Sequence, residues 1–124
     1  MTRVLIVDDE PVFLTALGML LEREGFEVRT AAGAQEALEL AAPFAPDVLI
    51  VDWLLRGAAD GVDVAESLRR AGQSPQLILI TGHATAELRE RLAARGGATL
   101  LEKPFSPEEL VVAVRKHAAA SGGP

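Results

Sequence analysis

Three short runs, Val4-Leu5-Ile6-Val7, Val48-Leu49-Ile50-Val51 and Leu77-Ile78-Leu79-Ile80, are apolar at every position rather than at alternate ones. Continuous runs of this kind, rich in β-branched residues, are how strands buried on both faces of a parallel sheet read. Weaker runs at Phe26 to Ala31 and Ala98 to Leu101 bring the set to five. Between the runs the apolar spacing changes to a helical one. Phe13, Leu17, Leu20 and Leu21 recur at three-to-four spacing and stop at Gly25, and Ala34 to Ala42 stops at Pro43. Val64, Ala65 and Leu68 lead to Gly72, Leu88 and Leu92 lead to Gly96, and Leu110, Val111 and Val114 mark a last helix. A glycine just past the last periodic residue is the usual C′ signal. Start signals agree: Ser106-Pro107-Glu108-Glu109 has the form of a capping box with Pro at the first helical position, and Pro11 takes that position after Asp9 and Glu10.

Five strands alternating with five helices predict an α/β fold, a doubly wound (βα)5 parallel sheet whose right-handed crossovers place helices on both faces. Residues 1–118 read as one domain, and 119–124, ending Ser121-Gly122-Gly123-Pro124, as a flexible tail or the start of a linker.

Composition narrows the function. A chain of 124 residues can bury a core without staples. The absence of cysteine removes disulfides, thiolate metal sites and thiol nucleophiles together. Hydrophobic residues make up 49% of the chain, but no run approaches the roughly 20 apolar residues of a membrane span, and no basic leader precedes an apolar stretch. The expectation is a soluble cytoplasmic domain without membrane association. A net charge of −6 is the wrong sign for direct grip on nucleic acid. Arginine outnumbers lysine ten to two, the lysines being Lys103 and Lys116, and three of the six aspartates stand at two apolar strand ends.

Ligands of open parallel sheets bind beyond the carboxyl ends of the strands, where strand order reverses. The first strand is followed by Asp8 and Asp9, the third ends in Asp52, the fourth in Thr81-Gly82 and the fifth in Glu102-Lys103-Pro104. In a sheet of order 2-1-3-4-5 these four strands are consecutive neighbours, so three carboxylates, a hydroxyl and an ammonium would meet in one crevice. Taken singly, each residue has a plainer reading. An acidic pair favours a helix N-terminus, an Asp solubilises a loop, a Thr ends a strand and Lys-Pro makes a turn.

Together, Val7-Asp8-Asp9, Val51-Asp52, Ile80-Thr81-Gly82 and Glu102-Lys103-Pro104-Phe105 resemble the receiver domains of two-component response regulators, over essentially all of Thr2 to His117. The resemblance implies the flavodoxin-like receiver fold with Asp52 as phosphoacceptor. It implies Mg2+ bound by Asp9, Asp52 and the Leu54 backbone carbonyl, with Asp8 acting through water. It further makes Thr81 the switch hydroxyl and Lys103 the phosphate-contacting lysine, held by a cis Lys103-Pro104 bond. A histidine kinase or histidine phosphotransfer protein is the implied donor, and a downstream effector or a missing output domain the implied target. Homodimerisation is left open, and no turnover of an external substrate is expected.

Elementary chemistry is consistent with those roles. Crowded carboxylates must protonate or bind a cation. A hard ion that keeps several waters and takes one or two carboxylates plus phosphate oxygens suits the set. An ionised Asp52 can then act as nucleophile, with positive charge around the transferred group supplied by the metal and Lys103. A compact ammonium can serve a carboxylate first and a phosphoryl oxygen later.

Two features depart from the family pattern: the segment from Asp52 to Gly61 is slightly long, with Arg56 where Pro is usual, and Leu100 stands where an aromatic residue is usual, three before the lysine. Leu54 and His83 flank the approach of a hydrolytic water. The two distant histidines, His83 and His117, lack metal-site spacing and read as solvated or capping residues. The charged face of Glu87-Leu88-Arg89-Glu90-Arg91-Leu92 reads as solvated. Alternatives are a pseudo-receiver that docks or dimerises without phosphorylation and, ranked lower, a Mg2+-dependent phosphatase with an Asp nucleophile. The phosphatase would need a second acid where Leu54 stands. A flavin carrier would need a phosphate loop where Asp8-Asp9-Glu10-Pro11 stands.

Overall fold

A computed structural model describes residues 1–55, 60–96 and 98–121. Its elements run β1 (Arg3–Val7), α1 (Pro11–Arg23), β2 (Glu27–Ala31), α2 (Ala34–Phe44), β3 (Val48–Asp52), α3 (Gly61–Arg70), β4 (Gln76–Thr81), α4 (Ala86–Arg95), β5 (Thr99–Glu102) and α5 (Pro107–Ser121). The strands form one sheet in the order β2-β1-β3-β4-β5, and every pairing is parallel. Arg56 and the Gly57-Ala58-Ala59 part of the long segment lie outside the described residues.

The continuous apolar runs have a simple origin in this layering. Leu5, Val7, Leu49, Val51, Leu77 and Leu79 point to one side and pack with Ala37, Ala41, Val64, Leu68, Leu88 and Leu92 from α2, α3 and α4. The alternate residues Val4, Ile6, Val48, Ile50, Ile78 and Ile80 point to the other and pack with Leu14, Leu17, Leu21, Leu110, Ala113 and Val114 from α1 and α5. Strand residues buried from both sides cannot alternate in polarity. In-register pairs such as Leu5 with Leu49 and Ile50 with Ile78 align the strand ends, so that residues following β1, β3, β4 and β5 share one rim.

Gly25 and Gly72 take positive φ (96° and 88°) just past α1 and α3, as C′ glycines do. Three features differ from the sequence expectation. Helix α2 does not stop at Pro43 but carries it in its last turn. Burial of Phe44, with the Arg29 guanidinium 5.0 Å from its ring centroid, holds that turn, and Ala45 ends the helix in the left-handed region (φ 52°). Helix α5 reaches Ser121, three residues into the segment expected as tail. His117, expected to be solvated or capping, is instead 7% exposed. Its Nδ1 lies 3.1 Å from Gln76 Oε1 and its Nε2 2.6 Å from Thr99 Oγ1, so one ring ties α5 to β4 and β5.

Candidate phosphoacceptor site

The rim beyond the strand ends gathers the residues singled out in the sequence. Asp8 follows β1 directly and is buried, 2% exposed. Its Oδ1 accepts the Glu10 amide at 2.8 Å, which turns the chain into α1. Its Oδ2 is buried without a hydrogen-bond partner among the described residues. Asp52, the last residue of β3, is partly exposed. Its Oδ1 accepts the Leu54 amide at 3.0 Å and its Oδ2 accepts Lys103 Nζ at 3.0 Å. The same ammonium is 3.8 Å from Asp8 Oδ2. Asp9 is half-buried on the same turn.

Burial, reinforced by the Asp52 charge, pushes the Asp8 carboxyl up from 3.8 to about 6, against the pull of the Glu10 amide and Lys103. Burial works in the opposite sense on Lys103. There the Asp52 hydrogen bond and the charges of Asp52, Asp8 and Glu10 overcome it and hold the ammonium above its ordinary range. Lys103 thus offsets part of the negative charge that Asp8 and Asp52 bring to this rim. Among the described residues no three acidic or histidine side chains stand together as a ready-made metal cluster.

Thr81 ends β4 and is buried, but its hydroxyl is engaged with the following turn. It accepts the His83 amide and donates to the His83 carbonyl, both at 3.1 Å. The Lys103 amide donates to the Thr81 carbonyl at 2.8 Å, and the Lys103-Pro104 bond is cis. Backbone pairing between β4 and β5 thus delivers the lysine to the rim. The Leu54 side chain is 70% exposed, His83 is exposed, and Leu100 packs partly buried against the core on the α3 and α4 side.

Three contributors were not singled out from the sequence. Phe13 of α1 places its ring centroid 4.4 Å from Lys103 Nζ, and Phe105 meets that ring edge-on at 6.2 Å. Its position on the apolar stripe of α1 gave only a core signal. Gly61 opens α3 so close to β3 that a Cβ there would stand 2.6 Å from the Asp52 carbonyl oxygen. Asp60 and Asp63 form a reciprocal capping box at the same helix start. That pairing was legible in principle as an acid followed three residues later by another.

A sequence model of the response regulator receiver domain matches residues 4–115. The chain belongs to the response regulator receiver domains. This receiver is 34% identical over 110 residues to the nitrogen assimilation regulatory protein NtrX of Azorhizobium caulinodans, covering 88% of this chain and 24% of that protein. It is 38% identical over 112 residues to the transcriptional regulatory protein SrrA of Staphylococcus aureus, covering 90% of this chain and 46% of that one. The chain therefore spans between about a quarter and about half of such relatives. The chemotaxis protein CheY4 of Vibrio cholerae superposes with a TM-score of 0.86 at 30% identity, over 94% of this chain and 98% of that one. Receiver domains are signalling domains of two-component systems. No described helix is long and apolar enough to cross a membrane.

Proposed function

We propose that this receiver accepts a phosphoryl group on Asp52 and thereby switches a protein-binding surface. The observation that carries the reading is Lys103 Nζ set between Asp52 Oδ2 at 3.0 Å and Asp8 Oδ2 at 3.8 Å. That placement gives one cation to the nucleophilic oxygen and to a buried acid at once. An Asp52 oxygen attacks the phosphorus of a phosphohistidine or small acyl phosphate and forms the new O–P bond. The bond from phosphorus to the donor breaks, and its electron pair leaves with the donor nitrogen or oxygen. Asp52 gives up its carboxylate charge in that bond, so Lys103 passes to the oxygens of the transferred group, while the Thr81 hydroxyl, one strand over, exchanges its His83 partners for a phosphoryl oxygen.

The donor set fits a small hard cation, since Asp8 carries a buried carboxylate oxygen without a hydrogen-bond partner and that oxygen and Asp52 Oδ2 both lie within 3.8 Å of one ammonium. Asp8, Asp9, Asp52 and the Leu54 carbonyl are the residues that would hold Mg2+. When bound, Mg2+ supplies charge that keeps the carboxylates ionised and stabilises the phosphoryl oxygens.

A histidine kinase or histidine phosphotransfer protein is the proposed donor in a cytoplasmic phosphorelay. The proposed recipient of the signal is an effector protein or an output domain of the kind that makes the relatives two to four times longer. The single tryptophan, Trp53, adjoins Asp52 and serves as reporter. Titration with Mg2+ followed by acetyl phosphate should change Trp53 emission and add one acid-labile phosphate, and Asp52→Asn should abolish the mass increment. Absence of both responses would replace this reading with a docking module that is not phosphorylated.

A further inference from the structure

The charged face of α4 is exposed at Glu87, Arg89 and Glu90, as the sequence presents it, and its arginines also pair with neighbouring elements. Arg89 pairs with Glu102 at 2.8 Å and Arg95 with Glu66 at 2.6 Å. Arg91 makes three attachments with one group. Its Nη1 donates to Asp60 Oδ2 at 2.8 Å, its Nη2 lies 3.6 Å from Asp63 Oδ1, and its guanidinium carbon lies 5.1 Å from the Trp53 ring centroid. Trp53 and Asp60 flank the segment that joins the phosphoacceptor strand to α3, so a single α4 side chain holds both of its described ends.

Of the groups that Arg91 grips, Trp53 directly follows Asp52 in the chain. The Leu54 amide donates to Asp52 Oδ1 at 3.0 Å, so the loop backbone reads the state of that carboxylate directly. Trp53 is bracketed on either side, its amide donating to the Ile80 carbonyl at 2.8 Å and its carbonyl accepting the Gly61 amide at 3.0 Å. The backbone of this residue is fixed to β4 and α3 while its ring is offered to Arg91. Asp60 divides its carboxylate, Oδ1 capping α3 through the Asp63 amide and Oδ2 receiving the guanidinium. A guanidinium offers several N–H donors in one plane, so it can face an indole while donating to more than one carboxylate oxygen, a geometry that a compact ammonium reproduces less well.

We propose that Arg91 is a positioning residue, a latch that joins α4 to the loop following Asp52 and carries the state of Asp52 to that helix. The event at Asp52 rests on the phosphoacceptor reading, whereas the latch is a feature of the unmodified protein. When Asp52 Oδ2 is taken up in an acyl phosphate, Oδ1 changes from a carboxylate to a carbonyl oxygen and the charge-assisted bond it accepts from the Leu54 amide weakens. Leu54 readjusts against the anchored Trp53 backbone, and the contact of the Trp53 ring with Arg91 is disturbed. Leu100 has neither ring nor hydroxyl to form such a link, which leaves Arg91 as a route from this loop to α4. Because the latch holds the unmodified arrangement, opening it favours the modified one.

The test combines Arg91→Ala, Arg91→Lys, Asp60→Asn and the Arg91→Ala/Asp60→Asn pair. Asparagine keeps the N-cap while withdrawing the charge. Beryllofluoride with Mg2+ is titrated against Trp53 emission, and hydrogen exchange of the α4 amides is measured before and after. Arg91→Ala and Asp60→Asn should bind beryllofluoride about fivefold more tightly than wild type. Their α4 amides should exchange faster from the outset and respond little to the ligand. Arg91→Lys should fall between, and the double variant should gain no more than either single one. A wild type that responds and an Arg91→Ala variant that matches it in affinity and in α4 exchange would overturn the latch alone, as would additive effects. A wild type that shows no Asp52-dependent response would overturn the phosphoacceptor reading and the signalling role of the latch with it.

Discussion

Lys103 Nζ stands 3.0 Å from Asp52 Oδ2, and the ring of Phe13 lies 4.4 Å from the same ammonium. The lysine is therefore held between a charge it neutralises and an aromatic face that attracts it. Its bond to Asp52 occupies an oxygen that a divalent cation would otherwise compete for. Lys103→Met, which keeps the stem and its packing, should bind Mg2+ several-fold more tightly than wild type, since like charge near the site is removed. The same variant should lose the Asp52-dependent response to acetyl phosphate. Trp53 fluorescence titration reads the first effect and intact mass the second; unchanged Mg2+ affinity would show that the lysine does not compete.

Asp8 carries a stability penalty in the metal-free protein. Folding raises its carboxyl from 3.8 to about 6, so between those values the folded state binds the proton more strongly than the unfolded one. Stability from this group is therefore greatest below about pH 4, falls as pH rises to about 6 and stays low above it. Asp8→Asn should stabilise the metal-free protein at pH 7.5 by roughly 1–3 kcal/mol, because each tenfold change in proton affinity on folding is worth about 1.36 kcal/mol, and the gain should shrink between pH 6 and 4. Mg2+ at ten times its Kd should add about 1.4 kcal/mol to wild type and less to the variant. Urea unfolding with and without the ion checks both signs.

How far these features could be read in advance depends on what determines them. Val4 to Val7 and Val48 to Val51 announce a two-faced sheet because burial on both sides leaves no polar position, and the sheet then fixes where Asp8, Asp52, Thr81 and Lys103 emerge. Strand ends are set by local pattern and by a topology of few choices. Arg91, Phe13 and His117 could not be placed the same way. Their partners lie on other elements, and which side chain reaches across depends on helix rotation and packing that a single sequence does not specify. Arg91 has the composition of a solvated face and His117 that of a frayed end, yet each sits where a neighbouring element offers a carboxylate or a hydroxyl. Pro43 misleads for a related reason: a proline marks a helix stop unless tertiary burial of the next residue, here Phe44, outweighs the lost bond.

His117 predicts a second pH dependence, away from the rim that holds Asp8, Asp52 and Lys103. Burial, aided by the charge of Lys116, holds its imidazole below 6.5. With Nδ1 donating to Gln76 Oε1, Nε2 is left to accept the Thr99 hydroxyl, an assignment that requires the neutral ring. The unfolded chain takes up the proton first as pH falls, so this group lowers stability progressively below about pH 6.5. His117→Gln should flatten that decline relative to wild type, by at most about 1.4 kcal/mol per pH unit. Urea midpoints of the two proteins between pH 7.5 and 5.5 check it, and parallel curves would show that His117 does not titrate differently on folding.

Gly61 fixes how closely α3 approaches the end of β3. A Cβ at this position would stand 2.6 Å from the Asp52 carbonyl oxygen and 2.8 Å from Leu79 Cδ1. The leucine methyl can move, but the carbonyl belongs to the backbone of Asp52 at the end of β3. Backbone must therefore shift, and forcing an extra methyl into a packed interior typically costs about 1–3 kcal/mol. Gly61→Ala should be destabilised by that amount, although alanine is the better helix former. The displacement should also reach the site, because the Gly61 amide donates to the Trp53 carbonyl at 3.0 Å and Trp53 adjoins Asp52. The variant should therefore show both a lower urea midpoint and an altered Trp53 emission in the unmodified state. A destabilised variant with wild-type emission would mean that α3 absorbs the methyl by itself, leaving the loop after Asp52 in place.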